Sequence, residues 1–299
     1  MTTSSDADLD LALSLICASV QTYNAYLAGA AFPRRPLDFI TAPPGFTYET
    51  FWYGQDVFKK DRKHPRVVFG LLFRRDDDGA SLFAFRGTEG FAEWIDDAKV
   101  CEGRFRPFAP ENGPAVPPGA RVEDGFLEIY NSMQHELFEL LDRQPAAPLL
   151  ITGHSLGSAL CQLFTLDVAI SCPHLAATTY DFAAPRTGNR DFAVFYDALT
   201  RERGAPTVRF VNTEDIVPSL PPEALGYRHV GVCRPLCFRD KHHHLIPDYG
   251  LRHYADNYFR AVCHALGRRH CDCRLERGDT RADLEFCTPD PHRSSCEGH

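Results

Sequence analysis

Apolar and polar residues follow two different rhythms along this chain. From Asp8 to Leu27 the apolar side chains return at helical spacing, and Pro33, Pro36, Pro43 and Pro44 then interrupt the pattern and predict a loop across the surface. Arg66 to Phe73 and Ser81 to Arg86 read as strands, and the Asp76-Asp77-Asp78-Gly79 stretch between them predicts a turn joining antiparallel neighbours. These aspartates are expected as turn residues rather than metal ligands. Later apolar runs at Leu149–Thr152, Ala177–Ala183 and Thr207–Asn212 are each preceded by a helical pattern, over Gly125–Leu141, Ser155–Ser171 and Asn189–Arg201 respectively. Such alternation predicts an α/β fold, with a mostly parallel central sheet carrying helices on both faces. A last helix is expected over Arg252–Leu266. The segment from Val100 to Ala120 holds five prolines, which exclude a helix or an inner strand and leave a long loop, either a binding wall or lid or a plain surface insertion.

At one point the pattern turns from strand to helix abruptly. Gly153-His154-Ser155-Leu156-Gly157 follows a buried-type run and precedes a helix-forming stretch. A sharp turn that thrusts a serine outward leaves no room for a side chain two residues before or after it, and glycine occupies both positions. The alternative is a glycine-rich turn whose serine only caps the helix.

Composition narrows the field. The 299 residues, 44% of them hydrophobic, can bury one large core, and we expect one domain over 1–266 followed by a loosely ordered tail over 267–299. A net charge of −8 argues against nucleic acid, and no Lys/Arg cluster suits an anionic membrane, so contact with a lipid surface must be apolar. The acidic start and the lack of a cleavage context after Leu11–Val20 predict a cytoplasmic protein, and no run reads as a membrane span. Eleven cysteines, an odd number, include Cys17, Cys161 and Cys263 within apolar patterns, which suits thiols in a reducing compartment. Cys271, Cys273, Cys287 and Cys296 fall in the polar tail near His270 and His292. The Cys271-Asp272-Cys273 spacing is tight for zinc, and spare thiols are the expectation, with no metal and no cofactor.

A serine hydroxyl needs an imidazole to take its proton and a carboxylate to orient that imidazole. Asp215, just beyond the Thr207–Asn212 strand, suits the acid, with Glu214 as its rival. Among thirteen histidines, His253 is preferred because it opens the last helical pattern, and His244, in a polar triple-histidine loop, is its rival. Oxyanion donors are expected from the amides of Leu156, after the serine, and Thr88, at the end of an earlier strand.

These residues lie within motifs that resemble the class 3, fungal-type lipase family. Phe85-Arg86-Gly87-Thr88 with Trp94-Ile95-Asp96-Asp97, then Val122-Glu123-Asp124-Gly125-Phe126, the serine motif, Asp181 to Asn189, Asn212 to Pro218, and His253 with Tyr258 follow the family's order from about Tyr23 to Ala265. Glu123 stands where the family usually has histidine, and Ala183 where it usually has glycine. The resemblance implies the α/β-hydrolase fold and a lipid ester as substrate, with acylglycerols foremost and phospholipid or feruloyl esters as alternatives. The aromatic residues Phe91, Trp94, Phe105 and Phe108 leave two readings for Phe91–Asp97 or the proline-rich segment, a lid that faces lipid when open or ordinary core packing. A non-catalytic lipid-binding protein or an acyltransferase of the same fold is the rival, and the sequence leaves the oligomeric state open.

Overall fold

The computed structural model describes residues 8–29, 40–58, 66–88, 102–145, 147–241, 249–271, 273, 283–289 and 296. Helix α1 (Leu9–Gly29) leads into strands β1 (Phe46–Gln55), β2 (Arg66–Arg75) and β3 (Ser81–Phe85). Two short strands, β4 (Glu102–Gly103) and β5 (Val122–Glu123), precede α2 (Asp124–Asp142), β6 (Leu149–His154), α3 (Leu156–Ser171) and β7 (Ala177–Phe182). After them come β8 (Gly188–Asn189), α4 (Arg190–Glu202), β9 (Thr207–Asn212), β10 (Tyr227–Arg228), β11 (Val232–Leu236) and β12 (Phe238–Asp240). The short α5 (Tyr249–His253), α6 (Ala255–Ala265) and β13 (Leu284–Phe286) complete the order.

Seven strands form the central sheet in the order β1-β2-β3-β6-β7-β9-β11. The β1/β2 and β2/β3 pairs are antiparallel, and every pair from β3 to β11 is parallel, as the alternation of strands and helices requires. The aspartate turn is as expected: Asp78 accepts from the Ala80 amide, and Gly79 takes a positive φ of 73°.

Period-two alternation sorts the side chains onto two faces. Phe83, Phe85, Leu149 and Ile151 point into a core built with α2, α3 and α4, while Leu82, Ala84 and Leu150 point into a second core built with α1 and α6. Each such leucine, isoleucine or phenylalanine side chain contributes about 1.5–3 kcal/mol by leaving water. Every residue of α3 is buried, which accounts for its apolar composition on all sides. Leu9–Ala28 of α1 is long and apolar enough to cross a membrane by length and composition, contrary to expectation, yet it is mostly buried in this fold.

Some elements were not expected. A second, four-stranded sheet, β10-β8-β5-β4, is built of two-residue strands too short to show any periodicity. The last helix is broken at Tyr254, whose ψ of 136° is extended, so His253 ends α5 instead of opening the final helix. The proline-rich segment is tied down within the described residues: the Phe108 and Ala109 amides donate to Asp167 and Ser171, and the Phe108 ring stacks on Phe138 at 4.3 Å. These contacts seat Phe108 and Ala109 against α2 and α3.

The expectation for the cysteines is corrected most. Cys17–Cys273, Cys263–Cys271, Cys233–Cys296 and Cys237–Cys287 are disulfides, and each joins a tail cysteine to the body of the fold. Neither spare thiols nor thiolate ligands remain at these positions. The tail also adds β13, which pairs antiparallel with β12. Cys161 remains a buried free thiol, and Cys172 is free and half-buried. His292 lies outside the described residues.

Candidate active site

Strand β6 is buried along its whole length and ends at His154, and α3 starts at Leu156, so Ser155 alone makes the turn between them. Its backbone is strained, with φ 59° and ψ −126°, a region that costs a non-glycine residue about 1–3 kcal/mol. A Cβ on residue 153 would come within 2.5 Å of the Gly157 backbone, and one on residue 157 within 2.5 Å of the Phe85 carbonyl. This is the crowding that the two glycines were expected to relieve. The turn is held from behind by Ser158, whose Oγ lies within 2.9 Å of both the Gly153 and Phe182 carbonyls and donates its one hydrogen between them, and by the Ser155 amide, which donates to Phe182 O.

The structure brings Ser155, His253 and Asp215 together. His253 Nδ1 lies 2.8 Å from Asp215 Oδ2, and His253 Nε2 lies 2.8 Å from Ser155 Oγ. A carboxylate only accepts, so Nδ1–H donates to Asp215, leaving Nε2 to accept from the serine hydroxyl. All three residues are buried. Glu214 turns away toward Arg252, at 3.5 Å, and His244 lies outside the described residues.

Two further shells of contact hold this relay. Tyr258 Oη donates to Asp215 Oδ2 at 2.9 Å and accepts from the Asn212 amide, while the Val217 amide donates to Asp215 Oδ1. Burial, with Asp215 beside it, keeps the Tyr258 phenol well above its ordinary range and therefore neutral. The Asn212 side chain donates to the carbonyls of Phe238 and Arg252, joining the end of β9 to the residue before His253. His154, next to the serine, donates from Nε2 to the His253 carbonyl at 2.6 Å and accepts from Tyr23 Oη at Nδ1. Burial and the neighbouring His253 push its pKa far down, so it is a neutral strut. Sequence reading missed His154, Tyr23 and Asn212 as supports; Tyr258 had only its place in a motif to signal it.

Thr88 and Leu156 line the same cavity as Ser155, and its other walls are Phe58, Phe126, Pro185 and Val217. The approach of β3 to Thr88 is fixed by a buried ion pair, Arg86 Nη2 to Asp56 Oδ2 at 3.1 Å. The Arg86 guanidinium also lies over the Tyr26 ring, 4.0 Å from its centroid. Glu123 caps α2 by accepting from the Phe126 amide at 2.8 Å, and burial pushes its carboxyl up to about 7. Trp94-Ile95-Asp96-Asp97 and the rest of Phe91–Asp97 lie outside the described residues. Among the described residues no cluster of three or more His, Cys, Asp or Glu side chains could hold a metal.

Residues 82–225 match the family described as lipase (class 3). A lipase of Rhizomucor miehei is 33% identical over 168 residues, covering 54% of this chain and 43% of its own length. The Gibberella zeae protein named secreted mono- and diacylglycerol lipase 2 is 29% identical over 236 residues, covering 69% of this chain and 58% of its own length. A solved triacylglycerol lipase, described as having a serine protease triad at its catalytic centre, superposes with a TM-score of 0.59 at 25% identity, over 77% of this chain and 81% of that one. The chain thus spans 43% and 58% of the length of these two curated relatives. The expectation of a cytoplasmic protein is overturned by the relative named as secreted and by four disulfides, which reducing compartments do not sustain. Helix α1, near the N-terminus, has the length and apolar composition that an export signal shares with a core helix.

Proposed function

We propose that the chain, whose residues 82–225 match the class 3 lipase family, is a serine carboxylic-ester hydrolase acting on acylglycerols or related lipid esters. The observation that carries this reading is the continuous relay from Asp215 through His253 to Ser155, 2.8 Å at each step, opening on an apolar cavity. In the proposed reaction Ser155 Oγ attacks the ester carbonyl carbon as its proton passes to His253 Nε2. The imidazolium, balanced by Asp215, returns that proton to the departing alkoxide. Water repeats the sequence on the acyl-serine and releases the acid. The amides of Thr88 and Leu156 are the donors assigned to the oxyanion, where preorganised dipoles act most strongly. With its net charge of −8, the protein is expected to meet lipid through apolar side chains rather than by charge. The disulfides support a working place outside the reducing cytoplasm.

The test is hydrolysis of tributanoylglycerol, with diacylglycerol, phospholipid and feruloyl esters assayed in parallel. Ser155→Ala is expected to lose about 10⁴-fold or more in kcat and to lose labelling by a fluorophosphonate. Turnover by Ser155→Ala close to that of the unsubstituted chain would remove the proposal.

A further inference from the structure

We propose that Phe58 sets the acyl-chain length this site accepts, limiting it to short and medium chains; this rests on the esterase reading above. Phe58 follows β1 and lies beyond the catalytic motifs, yet its ring shares the cavity with Ser155. Three observations make it a built wall. Its ring meets that of Phe126 edge-on, with centroids 6.5 Å apart. It sits in a notch left by Gly125, where a Cβ would come within 2.6 Å of Phe58 Cζ. Two residues earlier, Asp56 is locked to Arg86, which leads into Thr88, so Phe58 and the oxyanion strand are held to one another by the same buried ion pair.

The cavity so bounded encloses about 10 Å³, far less than the ~300–1,000 Å³ usual for small-molecule sites. Its walls Phe58, Phe126, Pro185 and Val217 offer an acyl tail no polar partner, so selectivity there depends on how many methylenes leave water. Each methylene taken up is worth about fourfold in kcat/KM. Cutting the ring back to a methyl extends the apolar space by several methylenes, while a larger ring shortens it.

The experiment compares kcat/KM for p-nitrophenyl butanoate, octanoate, dodecanoate and hexadecanoate in the full chain and in Phe58→Ala, Phe58→Leu and Phe58→Trp. The unsubstituted chain is expected to favour butanoate or octanoate. Phe58→Ala is expected to raise the dodecanoate-to-butanoate ratio by at least about tenfold, Phe58→Leu by less, and Phe58→Trp to lower it. Phe58→Leu and Phe58→Trp keep a large apolar group in the notch, so the comparison stands even if the alanine variant folds poorly. A preference for hexadecanoate in the unsubstituted chain, or the same ratio in all folded variants, overturns the inference while leaving the esterase reading intact. Failure to turn over any ester refutes that reading, and this inference with it.

Discussion

Replacing Glu123 with glutamine should make the protein more stable at neutral and alkaline pH and leave it nearly unchanged in acid. Glu123 is 6% exposed and caps α2 through the Phe126 amide, an acceptor role that a glutamine carbonyl fills equally well. The substitution therefore removes a charge while keeping the hydrogen bond. Burial raises the carboxyl from its ordinary 4.5 to about 7, against the opposing pull of the Phe126 and Gly125 amides. A carboxyl raised in the folded state favours folding fully below its unfolded pKa and loses that contribution as pH climbs through about 7. At about 1.4 kcal/mol per pH unit, the interval from 4.5 to about 7 sets a ceiling of about 3 kcal/mol. The assay is urea unfolding of both proteins from about pH 4.5 to pH 8. Asp181 is also raised to about 7 by burial, and burial raises Asp167 and Glu136 as well, so the parent's own profile mixes several groups, and subtracting the variant isolates Glu123. The variant's advantage should grow with pH and level off above pH 7. A constant difference, or one that widens toward acid, refutes the assignment.

Tyr258→Phe removes one of the two donors on Asp215 Oδ2 and leaves the carboxylate that orients His253 less firmly held. A loss of about 5- to 30-fold in kcat is expected, with KM little changed. An unchanged kcat would reduce Tyr258 to a packing role. Replacing Cys237 and Cys287 together with alanine opens a link spanning 50 residues, which chain entropy values at about 4 kcal/mol. Thermal unfolding with and without reductant should show a large loss in the parent and a smaller one in the double variant; equal sensitivity to reductant would count against this link as a stabiliser.

The parts of this protein legible in the sequence are those governed by local sterics and periodicity. The bend at Ser155 could be read because only glycine fits at 153 and 157, and β6, β7 and β9 because a helix precedes each of these parallel strands; β1 and β11, the latter reached without a helix, were not read. His253 was preferred for a place at the start of a helix. It ends one instead, and its setting comes from His154, Asp215 and Asn212, residues remote from it in sequence. Long-range pairings such as Asp56 with Arg86 and Tyr23 with His154 leave no periodic trace. The cysteines misled for a related reason: within an apolar stripe, Cys17 looks the same whether it is a core thiol or the partner of Cys273 on the far side of the sequence. Ala183 shows where a departure from the family pattern is tolerated. It adopts φ 56°, where glycine is more at ease, but its methyl is fully buried and its amide donates to Phe210 O.

Helix α1 is moored covalently at Cys17 and, among its polar contacts, where Tyr23 meets His154. A protease that severed the backbone anywhere between 29 and 46 would not set the helix adrift, because the bridge to Cys273 would keep the two pieces a single molecule. The His154 strut beside Ser155 would stay tethered until a reductant opened the bridge.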